Sequence, residues 1–295
     1  MPYTGGTTSS ASGSLVGRYS NTGVGADANN VRLVVKSLNN GSGVVFAAGN
    51  WNNNLGSGRP TEATNYSANN NTLVVELGNR AGTAAGLGPT GDWATLAAAA
   101  GDEFSGMDGN SLLIRNTALS QAANNKYLGI TTAFALEITN VDAQQQLEKG
   151  SMSSNQLVLD NVLVSHDESF SNTNIRIGAV HLLNQQRHGE QMSAVDLNDN
   201  QVFIRNSDIA AYSIYASMIE VAALSYQATG ATGNQVVIDG SDILLGGDWG
   251  ESESQGNPAV AATVKTSNAE SNSLYLNQTT VTLNYEGVAD SSQKA

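Results

Sequence analysis

The residues of this chain best placed for chemistry are two aspartates. Asp208 and Asp242 each stand eight residues after an asparagine, Asn200 and Asn234, and those asparagines open near-identical segments. A fold that lays one segment on the other brings the carboxylates within about 5 Å, a separation that suits a retaining glycosidase pair or a Ca²⁺ site. Asp248, Glu251 and Glu253 follow in the next polar stretch. Only these two segments share the feature, however, and Asp is a common turn residue. The three histidines, His166, His181 and His188, have no metal-ligand spacing, and His181 sits in an apolar stretch that reads as core. No nucleophile elbow, phosphate loop, dinucleotide fingerprint or zinc-protease motif occurs. The lack of cysteine excludes a thiol nucleophile, Cys-ligated zinc and disulfide staples. The expectation is a non-enzymatic chain with no cofactor and no metal. A carbohydrate-active enzyme using Asp208 and Asp242 is the alternative.

Binding chemistry is the stronger candidate. Trp51, Trp93 and Trp249 lie in polar stretches, Gly49-Asn50-Trp51-Asn52, Gly91-Asp92-Trp93-Ala94 and Gly247-Asp248-Trp249-Gly250. An exposed Trp beside Asn and Asp suits stacking on a sugar ring or anchoring a protein contact. The plainer reading is a loop Trp folded back on its own chain.

What must position these residues is a repeat. Asn recurs at 29, 71, 110, 155, 200, 234 and 272, with spacings of 42, 39, 45, 45, 34 and 38. Two residues after these anchors stand Val31, Leu73, Leu112, Leu157, Val202, Val236 and Leu274; four after them, Leu33, Val75, Ile114, Leu159, Ile204, Ile238 and Leu276. A spacing of two is one face of a strand. Nine after the anchor stand Leu38, Leu119, Val164, Ile209, Ile243 and Val281, with Arg80 the lone departure. The bend between the two strands holds Asn116, Asn161, Asn206 and Gly240, residues that tolerate a left-handed backbone. Third strands are expected in residues 43–47, 130–138, 175–183, 218–226 and 259–264. Residues 81–91 and 246–257 read as loops, and 94–100 as one short helical turn. This points to an all-β chain, a right-handed parallel β-helix (β-solenoid) of about seven coils of 34–45 residues, spanning 29–295 behind an N-terminal cap or partly ordered segment, 1–28. Stacked at about 4.8 Å per coil, it would form a rod of roughly 30–35 Å.

Stacking turns columns into neighbours. Five residues after the anchor the column reads Glu76, Arg115, Asp160, Arg205, Asp239, Asn277, alternating in sign, which favours cross-strand pairing and fixes the order of coils. The Asn column itself reads as a structural ladder. Three after the anchor the column is Arg32, Val74, Leu113, Val158, Phe203, Val237 and Tyr275, which should point outward. An apolar outward stripe is covered by a loop of the same chain, serves as a contact surface, or simply reflects β-propensity on an exposed strand. Phe203 and Tyr275 therefore join Trp51, Trp93 and Trp249 as expected binding residues.

Composition sets the outer limits. The 295 residues carry 33 Asn and 31 Gly but only 13% charged residues, with a net charge of −13. Asn and Gly are poor helix formers. With only 13 Lys and Arg there is no basic footprint for nucleic acid. No apolar run is long enough to span a bilayer as a helix. The opening Met1-Pro2-Tyr3-Thr4-Gly5-Gly6 lacks the basic and apolar regions of a signal peptide. The polar end at Ser291-Ser292-Gln293-Lys294-Ala295 points to a fragment of a longer protein.

The coil Asn-x-Φ-x-Φ-x-Asn/Gly-Ser/Thr-x-Φ (Φ aliphatic), as in residues 200–209 and 234–243, resembles the passenger domains of Gram-negative autotransporters (type V secretion). The resemblance extends over residues 29–285 and rests on repeat and composition, not on a unique motif. It implies a pectate-lyase-like β-helix displayed extracellularly, outside the outer membrane, and acting as an adhesin. The implied partner is a host-cell or bacterial surface receptor, protein or glycan, with self-association as a further possibility. Neither nucleic acid nor membrane insertion by this chain is implied. No serine-protease motif and no Ca²⁺-with-Arg/Lys lyase set can be matched to this sequence.

Overall fold

The computed structural model describes residues 7–8, 29–38, 44–47, 67–87, 89–90, 93–101, 106–121, 127–137, 150–165, 174–184, 195–212, 216–224, 230–248, 259–261 and 269–286. Every regular element among them is a β-strand. The anchor segments form one sheet. Arg32–Val35, Thr72–Val75, Ser111–Gln121, Gln156–Ser165, Gln201–Arg205, Gln235–Asp239 and Ser273–Asn277 lie side by side in that order, each parallel to the next. Past the bend the same sheet continues through Asp208–Tyr212, Asp242–Asp248 and Thr280–Glu286. A second sheet runs Val44–Ala47, Trp93–Gly101, Tyr127–Glu137, Asn174–Asn184, Ala216–Leu224, Ala259–Ala261, again parallel along this path. A third row of short pairings precedes the anchors, including Gly150–Ser151 with Val195–Asp196 and Ala231–Thr232 with Ala269–Glu270. Parallel, in-register stacking of this kind is consistent with a β-solenoid.

From Asn71 onward the register matches the sequence columns: Leu73, Leu112, Leu157, Val202, Val236 and Leu274 are consecutive neighbours. The first copy is shifted. Arg32 pairs with Thr72, so Val31 and not Asn29 occupies the anchor position, and Leu33 and Val35 take the two inward columns. The aliphatic pattern of period two is unchanged by a slip of two, which is why spacing alone misassigned it. The correct register also brings Lys36 into the charge column and Val34, not Arg32, into the outward apolar one.

The interior is aliphatic: Leu33, Val35, Leu73, Val75, Leu112, Ile114, Leu157, Leu159, Val202, Ile204, Val236 and Ile238 form part of one buried cluster. Beside it runs a buried asparagine ladder. The Asn71 N–H donates to Oδ1 of Asn110 at 2.9 Å, Asn110 to Asn155 at 3.1 Å, Asn155 to Asn200 at 2.9 Å, Asn200 to Asn234 at 2.9 Å, and Asn234 to Asn272 at 2.9 Å. Each rung supplies the acceptor that a corner amide cannot find in a strand ladder, so every anchor backbone N–H from Asn71 to Asn234 is paired, although the Asn200 Nδ2 is buried with no partner. The corner after the first strand is left-handed at Asn116, Asn161, Asn206, Gly240 and Gln278. A second left-handed corner, just before the anchor, uses Asn30, Asn70, Gly109, Ser154, Asp199, Gly233 and Ser271. Its mixed residue types hide it from a search for Asn and Gly.

Three further expectations are corrected here. Residues 246–248, expected as the start of a loop, close the strand Asp242–Asp248, and residues 249–257 lie outside the described residues. Residues 94–100 are not a helical turn: Trp93–Gly101 is a strand between Val44–Ala47 and Tyr127–Glu137. The helix propensity of its alanines is outweighed by pairing on both sides and by a small interior slot, with Ala97, Ala98 and Ala99 fully buried. Residues 81–91 are not one loop, since Ala85–Leu87 pairs with Leu119–Gln121. Ala85 thus fills the inward column that Arg80 seemed to interrupt, and the extra residues before it project outward.

Candidate functional site

The outward column of the first sheet is a continuous row of apolar and aromatic residues. Val34, Val74, Leu113, Val158, Phe203, Val237 and Tyr275 are Cα neighbours along it. Val74 is buried, Leu113, Val158, Phe203 and Val237 are half-buried, and Tyr275 is 57% exposed. On one flank run Gln156, Gln201 and Gln235, with Gln156 Nε2 donating to Gln201 Oε1 at 3.1 Å. On the other flank run the charges. Glu76 accepts from Lys36 and, at 3.0 Å, from Arg115; Arg205 lies 3.6 Å from Asp160; Asn277 Nδ2 donates to Asp239 at 2.7 Å. The Lys36 ammonium first, and then the Arg115 guanidinium, hold the Glu76 carboxyl below its ordinary value. The face is therefore an apolar stripe bordered by internally paired charge and by amides, a surface with no strong preference for an ion of either sign.

Of the expected binding residues, Phe203 and Tyr275 share this stripe, at opposite sides of Val237. Trp93 opens a strand of the second sheet and pairs at Cα with Tyr127 and Thr90. Trp51 and Trp249 lie outside the described residues.

Asp208 and Asp242 are indeed Cα neighbours on adjacent strands, and both are exposed. Sequence reasoning missed their partner. Arg80, carried outward by the extra residues of its coil, forms an ion pair with Asp208 across 128 positions of sequence. The base of that excursion is pinned by Asn79, whose Oδ1 accepts from the Ala118 N–H at 2.9 Å and whose Nδ2 donates to the Ala118 carbonyl at 3.1 Å. Since Ala118 neighbours Leu163, and Leu163 neighbours Asp208, the guanidinium bridges several coils. The signal lay in plain view as the one charged residue in an aliphatic column. Among the described residues no cluster of three or more His, Asp or Glu is placed to hold a metal ion. His181 is buried as expected, edge-on to Phe134 with ring centres 5.1 Å apart. Desolvation, and secondarily the charge of Arg176, holds its pKa well below the ordinary histidine value, so it is a neutral core group near pH 7. His166 and His188 lie outside the described residues.

Comparison with known protein families, with curated proteins and with solved structures finds no match for the chain.

Proposed function

We propose that the chain is a right-handed parallel β-helix of about seven coils that works as a surface-exposed adhesin passenger domain, displayed outside an outer membrane. In this reading it binds a host-cell or bacterial surface receptor, protein or glycan, through one strand face and its loops. The observation that carries the reading is the outward column Val34 to Tyr275. Every position is apolar or aromatic, most are only half-buried, and the flanking Lys36, Glu76, Arg115, Asp160 and Arg205 are paired with one another. A surface of that kind contributes many modest contacts along its length. Phe203 and Tyr275 are its largest members, and Trp51, Trp93 and Trp249 are the loop anchors of the same reading. A protein and glycan array identifies the ligand class. The variant Phe203→Ser with Trp51→Ala, Trp93→Ala and Trp249→Ala should then lose binding while keeping its β-sheet circular dichroism. Unchanged binding by that folded variant rejects the site.

A second reading is a carbohydrate-active enzyme, favoured by the adjacency of Asp208 and Asp242. It predicts polysaccharide cleavage that Asp208→Asn abolishes. Arg80 already engages one of the two carboxylates, which is the reason this reading ranks second. A non-binding stalk that presents another domain predicts neither cleavage nor retention on the array.

A further inference from the structure

One coil carries an insertion that the coils after it lack. In the coils of Asn110, Asn155, Asn200, Asn234 and Asn272, an inward column past the bend stands nine residues after the anchor, at Leu119, Val164, Ile209, Ile243 and Val281. In the coil of Asn71 that place belongs to Ala85, fourteen after the anchor, so five extra residues precede it. These residues are held on both sides. Gly78 turns the chain with a φ of +68°, a conformation that favours Gly. The Gly82 N–H donates to the Asn79 carbonyl at 2.9 Å, and Asn79 Nδ2 donates to the Thr83 carbonyl at 2.9 Å, which closes the loop on itself. The next coil is tied to it at Thr117, whose Oγ1 accepts from the Leu77 N–H at 3.0 Å, and at Ala118, which bonds Asn79 through both backbone groups. Ala118 stands in an outward column and is nevertheless fully buried, whereas Asp208 and Asp242 in the same column are exposed.

From this loop Arg80 reaches Asp208. The ion pairs Lys36–Glu76, Arg115–Glu76 and Arg205–Asp160 each join adjacent coils. Arg80–Asp208 passes over two, because Ala118 and Leu163 lie between them in the column. The arm lies along the protein: the Arg80 side chain is 26% exposed, against 47% for Arg115 and 50% for Arg205, and its Nε is buried.

We propose that residues 78–84 are a strap, latched by the Arg80–Asp208 pair, that couples the coil of Asn71 directly to the coil of Asn200. In a stack held only by contacts between neighbours, a coil opens without regard to one three places away. The strap adds that longer link. The coils of Asn110 and Asn155 beneath it are held from above as well as from either side. The latch is electrostatic and Asp208 faces water, so its strength is modest and ionic strength sets it. At low salt the strap is closed; at high salt it is released from Asp208 while its base stays tied to Ala118. This device needs no receptor and is independent of the adhesin reading.

The Ala118 amide reads the latch, because its acceptor, Asn79 Oδ1, belongs to the strap. The Ser111 amide is the reference: it lies in the same coil and donates to the Asn71 carbonyl at 2.8 Å, away from the strap. In native-state hydrogen exchange of the full chain at low salt, Asp208→Ala should speed exchange at Ala118 about two- to fivefold relative to Ser111. Arg80→Ala should do the same, and the double variant should go no further than either single one, since each removes the same link. About 0.5 M salt should give the wild type most of this increase and leave the variants nearly unchanged. Asp208 is exposed and Arg80 lies outside the core, so the variants should keep their β-sheet circular dichroism. An Ala118 rate that Asp208→Ala leaves at the wild-type value, single effects that add in the double variant, or Ala118 and Ser111 rising together would each overturn the proposal.

Discussion

At the scale of single residues, the fold depends on polar groups in places where apolar ones dominate. Asn155 is fully buried, accepts from the backbone and side chain of Asn110 at 3.1 and 2.9 Å, and donates to the Met107 carbonyl at 2.8 Å. Asn155→Ala leaves the Asn110 N–H and the Met107 carbonyl buried without partners, and should cost about 2–4 kcal/mol in urea unfolding. Asn161→Gly, at an exposed corner whose φ is +56°, should stay within about 1 kcal/mol of wild type, because Gly accepts that conformation freely. The contrast separates two roles that look identical in sequence, since both are asparagines recurring at the repeat period. The sequence made the ladder legible but not its donors and acceptors. The second left-handed corner was illegible because Asn, Gly, Ser and Asp all serve there. At Gly109 the reason for Gly is local: a Cβ would sit 2.5 Å from Oδ1 of Asn70. His181 adds a pH dependence. The unfolded chain protonates it near pH 6.5, whereas the folded chain resists protonation to a much lower pH, so unfolding takes up a proton between the two values. Stability should therefore fall as pH drops below about 6.5, and His181→Phe, which keeps a ring against Phe134, should reduce that slope in thermal melts at pH 7 and pH 5.

At the scale of strands, what decides the structure is which coil lies on which. The aliphatic columns are nearly interchangeable from coil to coil, so they bury surface without specifying order. The column Lys36, Glu76, Arg115, Asp160, Arg205, Asp239 supplies order, because shifting one coil sets like charges side by side. Arg205→Asp would place three carboxylates in succession, at 160, 205 and 239. It should destabilise by about 1 kcal/mol in low salt, with much of the loss recovered in high salt, whereas Arg205→Asn should cost less and show little salt dependence. Urea midpoints at two ionic strengths measure both. The alternation was readable in advance, though its first member was not. Assigning Asn29 as an anchor placed the first strand two residues out of register, and only the pairing of Arg32 with Thr72 brings Lys36 opposite Glu76. Arg80 shows the opposite lesson: a residue that breaks a column marks an insertion, and an insertion is where a side chain can reach beyond its own coil to Asp208.

At the scale of the molecule, stacked repeats make stability nearly one-dimensional: each coil is held by the coils on either side, and an end coil has one neighbour fewer. The described residues show that asymmetry directly. In Gln156–Ser165 the inward residues are buried between strands on both sides, whereas all five residues of Ser273–Asn277 are exposed. Opening the last coil exposes little apolar surface that is not already in water, so its free-energy cost is small, while opening the coil of Asn155 separates two buried interfaces. Native-state hydrogen exchange should therefore grade along the chain, with the Leu157 and Leu159 amides exchanging only through opening of a large unit and the Ser273 and Tyr275 amides exchanging first. These amides are the informative ones at the last strand, because each turns to the paired strand Gln235–Asp239. Asn155→Ala gives the decisive comparison. In a one-dimensional stack its damage falls on the coils it joins, so protection should drop across Ser111–Gln121 and Gln156–Ser165 and much less at Arg32–Val35. A uniform drop over all strands would mean that the stack opens as a single cooperative unit instead.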